Sequence, residues 1–136
     1  MKSFTRGRKR RDERGAAAVE FALVMIPLFV IVLGLIQYGW YFYVAQNSSS
    51  AVGTVARKLE VGDCWTGTAA QTFAQAQAPQ ISALSVSPGA MPTIGTNFTV
   101  TVTANATIIG FLPEPNGGTV TKTVTARLED DKPSSC

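Results

Sequence analysis

The chain has 136 residues, a formal net charge of +3 and no histidine. It therefore has room for one small domain, and it lacks the side chain that most often serves as a general base or metal ligand. Two cysteines, Cys64 and Cys136, are too few for a zinc site without other soft ligands. We expect no catalytic residues, no metal and no cofactor, and hence no enzyme.

The positive charge is confined to the N-terminus. Residues 1–15 hold seven Lys or Arg against two acids, a local net charge of +5, whereas residues 16–136 hold five against seven, a net charge of −2. A basic cluster directly before an apolar run is typical of the cytoplasmic flank of a membrane span. Its only aromatic residue is Phe4, which argues against a nucleic-acid-binding arm. We expect a cytoplasmic N-terminus and no nucleic-acid partner.

Residues 16–45 form an apolar segment whose only strongly polar side chains are Glu20 and Gln37. A membrane span needs roughly 20 apolar residues, and aromatic residues such as those at 38–43 are typical of a membrane–water interface. The pattern predicts a transmembrane helix in the lipid bilayer, with a kink or loosened turn at Pro27. A secretory signal peptide fits less well, because its apolar region is usually only about 7–15 residues long and a small-residue cleavage site follows it.

The helix is predicted to continue beyond the membrane as an amphipathic extension, residues 46–62. Apolar or small residues recur at steps of three and four along one face, and Gly62 is a suitable stop. The residues of this stripe are Val44, Ser48, Val52, Val55 and Leu59.

Residues 63–136 are predicted to form a small β-rich domain outside the cytoplasm. A short helix at 68–78 ends before Pro79, and Val or Ile alternates with Thr or Ser in three predicted strands, at 81–87, 97–106 and 119–129. The expected fold class is α+β, with a long N-terminal transmembrane helix extending outward and an antiparallel sheet packed on its outer part. The apolar stretch at 108–113, IIGFLP, is expected in the core, with an exposed contact patch as the alternative.

Both cysteines follow the apolar segment. Outside the cytoplasm, Cys64 and Cys136 can pair, and by chain entropy such a bridge would stabilise the fold by about 4 kcal/mol. The alternative is two free thiols.

The stretch RGAAAVEFALVMIPLFVIVLGLIQYGWYFYVAQNSSSAVGTVAR resembles the N-terminal region of TadE-like proteins, minor pseudopilins of the tight-adherence (Tad/Flp) type IV pilus system. The family's processing motif is a glycine, four residues, a glutamate and an aromatic residue, which here are Gly15, residues 16–19, Glu20 and Phe21. The resemblance implies that a prepilin peptidase removes the basic leader, residues 1–15, and leaves Ala16 as the new N-terminus. It also implies that Glu20 meets the N-terminal amine of a neighbouring subunit during assembly. Without the resemblance, Glu20 also reads as an acid favoured by the dipole at a helix start.

The same resemblance implies the partners and the location. The partners are the prepilin peptidase, the Flp major pilin, other minor pseudopilins and the inner-membrane pilus assembly platform. The protein would be single-pass in a bacterial inner membrane with its C-terminal domain in the periplasm, and it is a candidate to enter the pilus itself. Within the family, the GAAAVEFAL start favours the TadE type over the TadF type. The alternative function is an unprocessed, signal-anchored envelope protein whose outer β domain binds a partner or surface.

Overall fold

The chain forms a long helix, a short helix and a three-stranded sheet. The computed structural model describes residues 9–65 and 68–130, with side chains described from Gly15 onward. The elements are α1 Lys9–Glu60, α2 Ala69–Gln77, β1 Ile81–Ser87, β2 Asn97–Asn105, a 3-10 turn Pro115–Gly118 and β3 Thr119–Arg127. The α+β class, with one long N-terminal helix and a small antiparallel sheet, is confirmed.

The chain divides into two compact units, residues 1–36 and 37–136. In the first unit, large apolar side chains of α1 are exposed on all sides of the helix. Water-soluble surfaces rarely carry contiguous apolar area on this scale, whereas a lipid bilayer accommodates it. In the part of the chain that the structure describes, α1 is the one helix long and apolar enough to cross a membrane, and it fits a single-pass membrane protein. The exposed residues include Val19, Phe21, Leu23, Val24, Ile26, Leu28, Phe29, Ile31, Leu35 and Ile36.

Pro27 lies inside α1 without ending it. Proline removes one backbone hydrogen bond from a helix, and membrane helices tolerate this loss better than soluble ones. The kink predicted at Pro27 stays a prediction.

In the second unit, the outer part of α1 supplies one side of the hydrophobic core. The predicted stripe is confirmed, since all five of its residues are buried. The sheet supplies the other side, mainly through the inward side chains of β2, and the alanines of α2 close one end. The core consists of Val44, Ala51, Val52, Val55, Ala56, Leu59, Cys64, Ala70, Ala74, Ala78, Ile81, Phe98, Val100, Val102, Ala104, Ala106, Val120 and Leu128.

The sheet is antiparallel in the order β1-β2-β3, so β2 is central. Because strand side chains alternate between faces, the apolar residues of β2 point to the core and its threonines to the opposite face. Threonine hydroxyls pair across the strands on that outer face, Thr99 with Thr125 at 3.3 Å and Thr101 with Thr123 at 3.2 Å. Because consecutive strands run in opposite directions, the two strand connections, residues 88–96 and 106–118, lie at opposite ends of the sheet.

Two sets of backbone hydrogen bonds cap the outer end of α1. Gly62 adopts a positive φ of 82°, and Gly62 N–H and Asp63 N–H donate to Leu59 O and Lys58 O, the bonding pattern of a Schellman cap. The predicted stop at Gly62 is confirmed. In addition, the carbonyl of Glu60 accepts from Glu129 N–H at 2.8 Å and from Asp130 N–H at 3.1 Å, so the segment after β3 is bonded to the helix end.

Candidate functional site

The predicted processing site, Gly15 and Ala16, lies within α1 and is exposed. A side chain built at Gly15 would meet nothing within 4 Å, and the backbone there has no positive φ. Glycine is unfavourable in a helix interior by about 1 kcal/mol relative to alanine. The fold therefore gives no reason for a glycine at this position.

Glu20 and Phe21 lie one to two turns further along the same helix, about 7.5 and 9 Å of axial rise beyond Gly15. Both are exposed, Phe21 to 64% of its surface. Within the described part of the chain, no hydrogen bond or ion pair involves the Glu20 carboxylate. A carboxylate among exposed apolar side chains is thus available to a partner outside this molecule.

Gln37, the second polar residue of the apolar segment, is only 1% exposed and is fully hydrogen-bonded. Its Nε2 donates to Leu112 O at 2.7 Å and to Glu114 Oε1 at 3.0 Å, and its Oε1 accepts from Leu112 N–H at 3.0 Å. A buried amide costs free energy unless it is paired in this way. The side chain therefore fixes the β2–β3 connection to α1, a role that sequence reasoning missed.

Further contacts fix the same connection. The hydroxyl of Tyr38 donates to Pro113 O at 2.8 Å, and the hydroxyl of Thr107 donates to Glu114 Oε2 at 2.8 Å. The Oδ1 of Asn105 accepts from Thr107 N–H at 3.0 Å. Both oxygens of the Glu114 carboxylate are thus bonded to protein groups. We call residues 107–113 the membrane-proximal loop, since the backbone of Leu112 and Pro113 is bonded to Gln37 and Tyr38, which directly follow the apolar run.

The expectation that the IIGFLP stretch lies in the core is wrong. Ile108, Ile109 and Phe111 are exposed to 50%, 49% and 51% of their surfaces. The physical reason is the attachment of Leu112 and Pro113 to α1, which binds the base of the loop and leaves the preceding side chains pointing outward. The alternative, an exposed apolar patch, describes the structure.

Cys64 is buried and disulfide-bonded. Cys136 lies outside the described residues, so the pairing of Cys64 with Cys136 stays a prediction. Beside Cys64, the Trp65 ring packs edge-on against Phe98 at 5.2 Å between centroids, and its Nε1 donates to Leu59 O at 2.9 Å. These contacts attach the segment after α1 to the centre of the sheet.

The described residues hold no group of three or more acidic or cysteine side chains close enough to bind a metal ion. A shallow groove of about 400 Å³ runs between α1 and the free edge of β3, and Tyr41, Phe42, Asn116 and Lys122 are among its lining residues. None of the predicted site residues lines it.

The family model described as TadE-like protein matches residues 15–57. This N-terminal region is TadE-like. The resemblance predicted from the residues is confirmed, and the family indicates a membrane protein associated with Tad pili. Neither the comparison with curated proteins nor that with solved structures finds a match.

The TadE-like region covers 43 of the 136 residues, from Gly15 to Arg57. It begins at the glycine of the predicted processing site and contains all of the exposed apolar helix and most of the helical side of the core. The sheet, α2 and the membrane-proximal loop lie beyond the matched residues.

Proposed function

We propose that this protein is a minor pseudopilin of the Tad/Flp pilus assembly machinery and is not an enzyme. A prepilin peptidase removes residues 1–15 at the cytoplasmic face of the inner membrane. The mature chain starts at Ala16, crosses the membrane once and carries its outer domain in the periplasm. Its apolar helix then joins the Flp major pilin, other minor pseudopilins and the assembly platform to initiate or support pilus biogenesis and adherence.

One observation supports this proposal above the others: the family match begins at Gly15, a glycine that the fold does not need. A peptidase that closes on extended backbone needs a small residue at the cut and a helix that opens there. Glycine supplies both, because it has no side chain and weakens the helix locally. The +5 charge of residues 1–15 would hold the cut site at the cytoplasmic face.

Glu20 supports the assembly step. A carboxylate at the centre of a bilayer costs about 3 kcal/mol, and less toward the interface. Cleavage creates an amine at Ala16, and an amine about 4 Å from a carboxylate is attracted by about 4 kcal/mol at an effective dielectric constant near 20. Pairing Glu20 with the amine of a neighbouring subunit would therefore offset the cost of placing it in the membrane. It would also fix the register between the helices.

The first experiment is the intact mass of the protein from membranes of cells with and without the cognate prepilin peptidase. We expect a chain that starts at Ala16 only when the peptidase is present. The variant Gly15→Val should keep its leader in both cells, whereas Gly53→Val, at a second open glycine position of the same helix, should be cut normally. A full-length chain in both cells would instead favour the unprocessed, signal-anchored envelope protein whose outer domain binds a partner or surface.

The second experiment tests assembly with a processed chain. Glu20→Gln keeps the size of the side chain and removes its charge, so we expect normal cleavage but reduced recovery of Flp pili from the cell surface. Glu60→Gln, at the outer end of the same helix, is the matched control and should assemble normally. Equal pilus recovery from both variants would contradict the assembly role of Glu20.

A further inference from the structure

The described residues contain an apolar surface that the TadE-like match does not include, the tip of the membrane-proximal loop. We propose that this tip, Ile108, Ile109 and Phe111, inserts into the outer leaflet of the bilayer that α1 spans, and so attaches the outer domain to the membrane at a second point. The inference rests on the proposed membrane span but not on cleavage or pilus assembly.

The loop is bonded to α1 directly after the exposed apolar run ends. Leu112 and Pro113 are bonded to Gln37 and Tyr38, which directly follow Ile36, the last residue of the exposed apolar run. Residues 16–36 rise about 31 Å as a helix, which matches a hydrocarbon core about 30 Å thick. With this run in the bilayer, Gln37 lies at the outer boundary of the hydrocarbon. The tip lies at most about 14 Å of extended chain from Leu112.

The side chains of the loop are chemically suited to a lipid surface. Residues 107–113, TIIGFLP, include no charged side chain, and three large apolar ones are half exposed. The nearest charge, Glu114, is bonded to Gln37 and Thr107 at the base of the loop. Apolar side chains beside a charge-free backbone segment suit the boundary between headgroups and acyl chains, where their exposed surface is removed from water.

The base of the loop is fixed before any contact with lipid. The bonds from Gln37, Tyr38 and Thr107 hold its base in place, so insertion does not have to order a flexible segment. Lipid is the occupant that the position favours, because the loop is attached to the helix at the level where the lipid-exposed run ends. A second copy of the chain would need a complementary surface at that same level.

The opposite end of the sheet provides a matched control. Ile94, in the connection between β1 and β2, is exposed to 54% of its surface, much like Phe111 at 51%. β2 is nine residues long, so the two ends of the sheet are separated by about 26 Å along the strand. The two tips thus have similar apolar exposure, but only one is attached to the boundary of the span.

The experiment places a nitroxide label on cysteine variants of the full-length protein, purified without reductant and reconstituted into vesicles of phosphatidylethanolamine and phosphatidylglycerol. The variants are Ile108→Cys, Phe111→Cys, the control Ile94→Cys and, within the span, Ile31→Cys. Collision with oxygen, which enters hydrocarbon, is compared with collision with a water-soluble nickel chelate. Because polar solutes are excluded from hydrocarbon, we expect the oxygen-to-nickel ratio at 108 and 111 to exceed that at 94 by about tenfold. Circular dichroism spectra that match the wild type would show that the labelled variants are folded.

Each contrary result overturns the proposal in a distinguishable way. If the labels at 108 and 111 collide with the nickel chelate as often as the label at 94, the loop lies in water. If both reagents are excluded there, protein covers the tip, and a second copy becomes the occupant. If the label at 31 also collides freely with nickel, the span itself is wrong and the proposed function fails with it. If the label at 31 lies in hydrocarbon and the label at 111 lies in water, insertion of the loop is refuted but the membrane span is not.

Discussion

Replacing Gln37 with leucine tests whether one buried amide holds the β2–β3 connection on α1. Leucine keeps a buried side chain of similar size and removes three hydrogen bonds, two to the Leu112 backbone and one to the Glu114 carboxylate. A neutral hydrogen bond contributes about 1 kcal/mol net and a charge-assisted one about 2 kcal/mol, which gives about 4 kcal/mol as an upper limit. Leu112 and Glu114 are partly exposed and can regain water. We therefore expect the free energy that holds the β2–β3 connection on α1 to fall by about 2–3 kcal/mol.

Hydrogen exchange measured by mass spectrometry on peptides covering residues 107–114 reports this loss directly, because the Leu112 N–H is bonded to Gln37. A change of about 2 kcal/mol corresponds to exchange about 30-fold faster. The matched control is Gln46→Leu, the same chemical change at an exposed position of the same helix. If Gln37→Leu exchanges no faster than Gln46→Leu in these peptides, the amide does not hold the loop. Insertion into the bilayer would then have to order a flexible segment.

Three further changes test the core of the outer domain, each measured by thermal or denaturant unfolding of the full-length protein. Leu59→Ala should lower the free energy of unfolding by about 2–5 kcal/mol, whereas Val61→Ala, two residues away but half exposed, should change it by less than about 0.5 kcal/mol. Trp65→Phe keeps a ring against Phe98 but loses the bond to Leu59 O, and should cost about 1 kcal/mol. Reducing the Cys64 disulfide, with Cys136 as its partner, should cost about 4 kcal/mol, and an unchanged midpoint would contradict that pairing.

Local patterns predicted much of the fold. The alternation of Val with Thr predicted all three strands within one or two residues of their observed ends, and Gly62 predicted the end of α1. These predictions are correct because strand periodicity and a helix stop depend on residues that are close together in the sequence. The stripe from Val44 to Leu59 succeeds for the same reason, since a helical period is a local property.

The contacts that define the membrane-proximal loop could not be predicted in the same way. Gln37 and Leu112 are 75 residues apart, and no local pattern records their pairing. An apolar run such as IIGFLP has the same composition whether it is buried or exposed. Its exposure follows from where its base is bonded. Gln37, one of the two strongly polar residues in the apolar segment, was the available sign of this contact, because a buried amide requires a hydrogen-bond partner. The processing motif at Gly15 was found by resemblance, and no packing in the fold identifies it.

The two hydrogen bonds from Glu129 and Asp130 to the Glu60 carbonyl have a consequence for biosynthesis. The ribosome makes α1 before these donors, so the outer end of the helix cannot be closed until residue 130 has been made. Until Leu128 has been made and packed into the core, the buried stripe on α1 lacks part of its cover. A chain truncated after Arg127 would retain the helices and strands that the structure describes yet lack this closure. The fold of the outer domain is therefore completed only after residues 128–130 have been made.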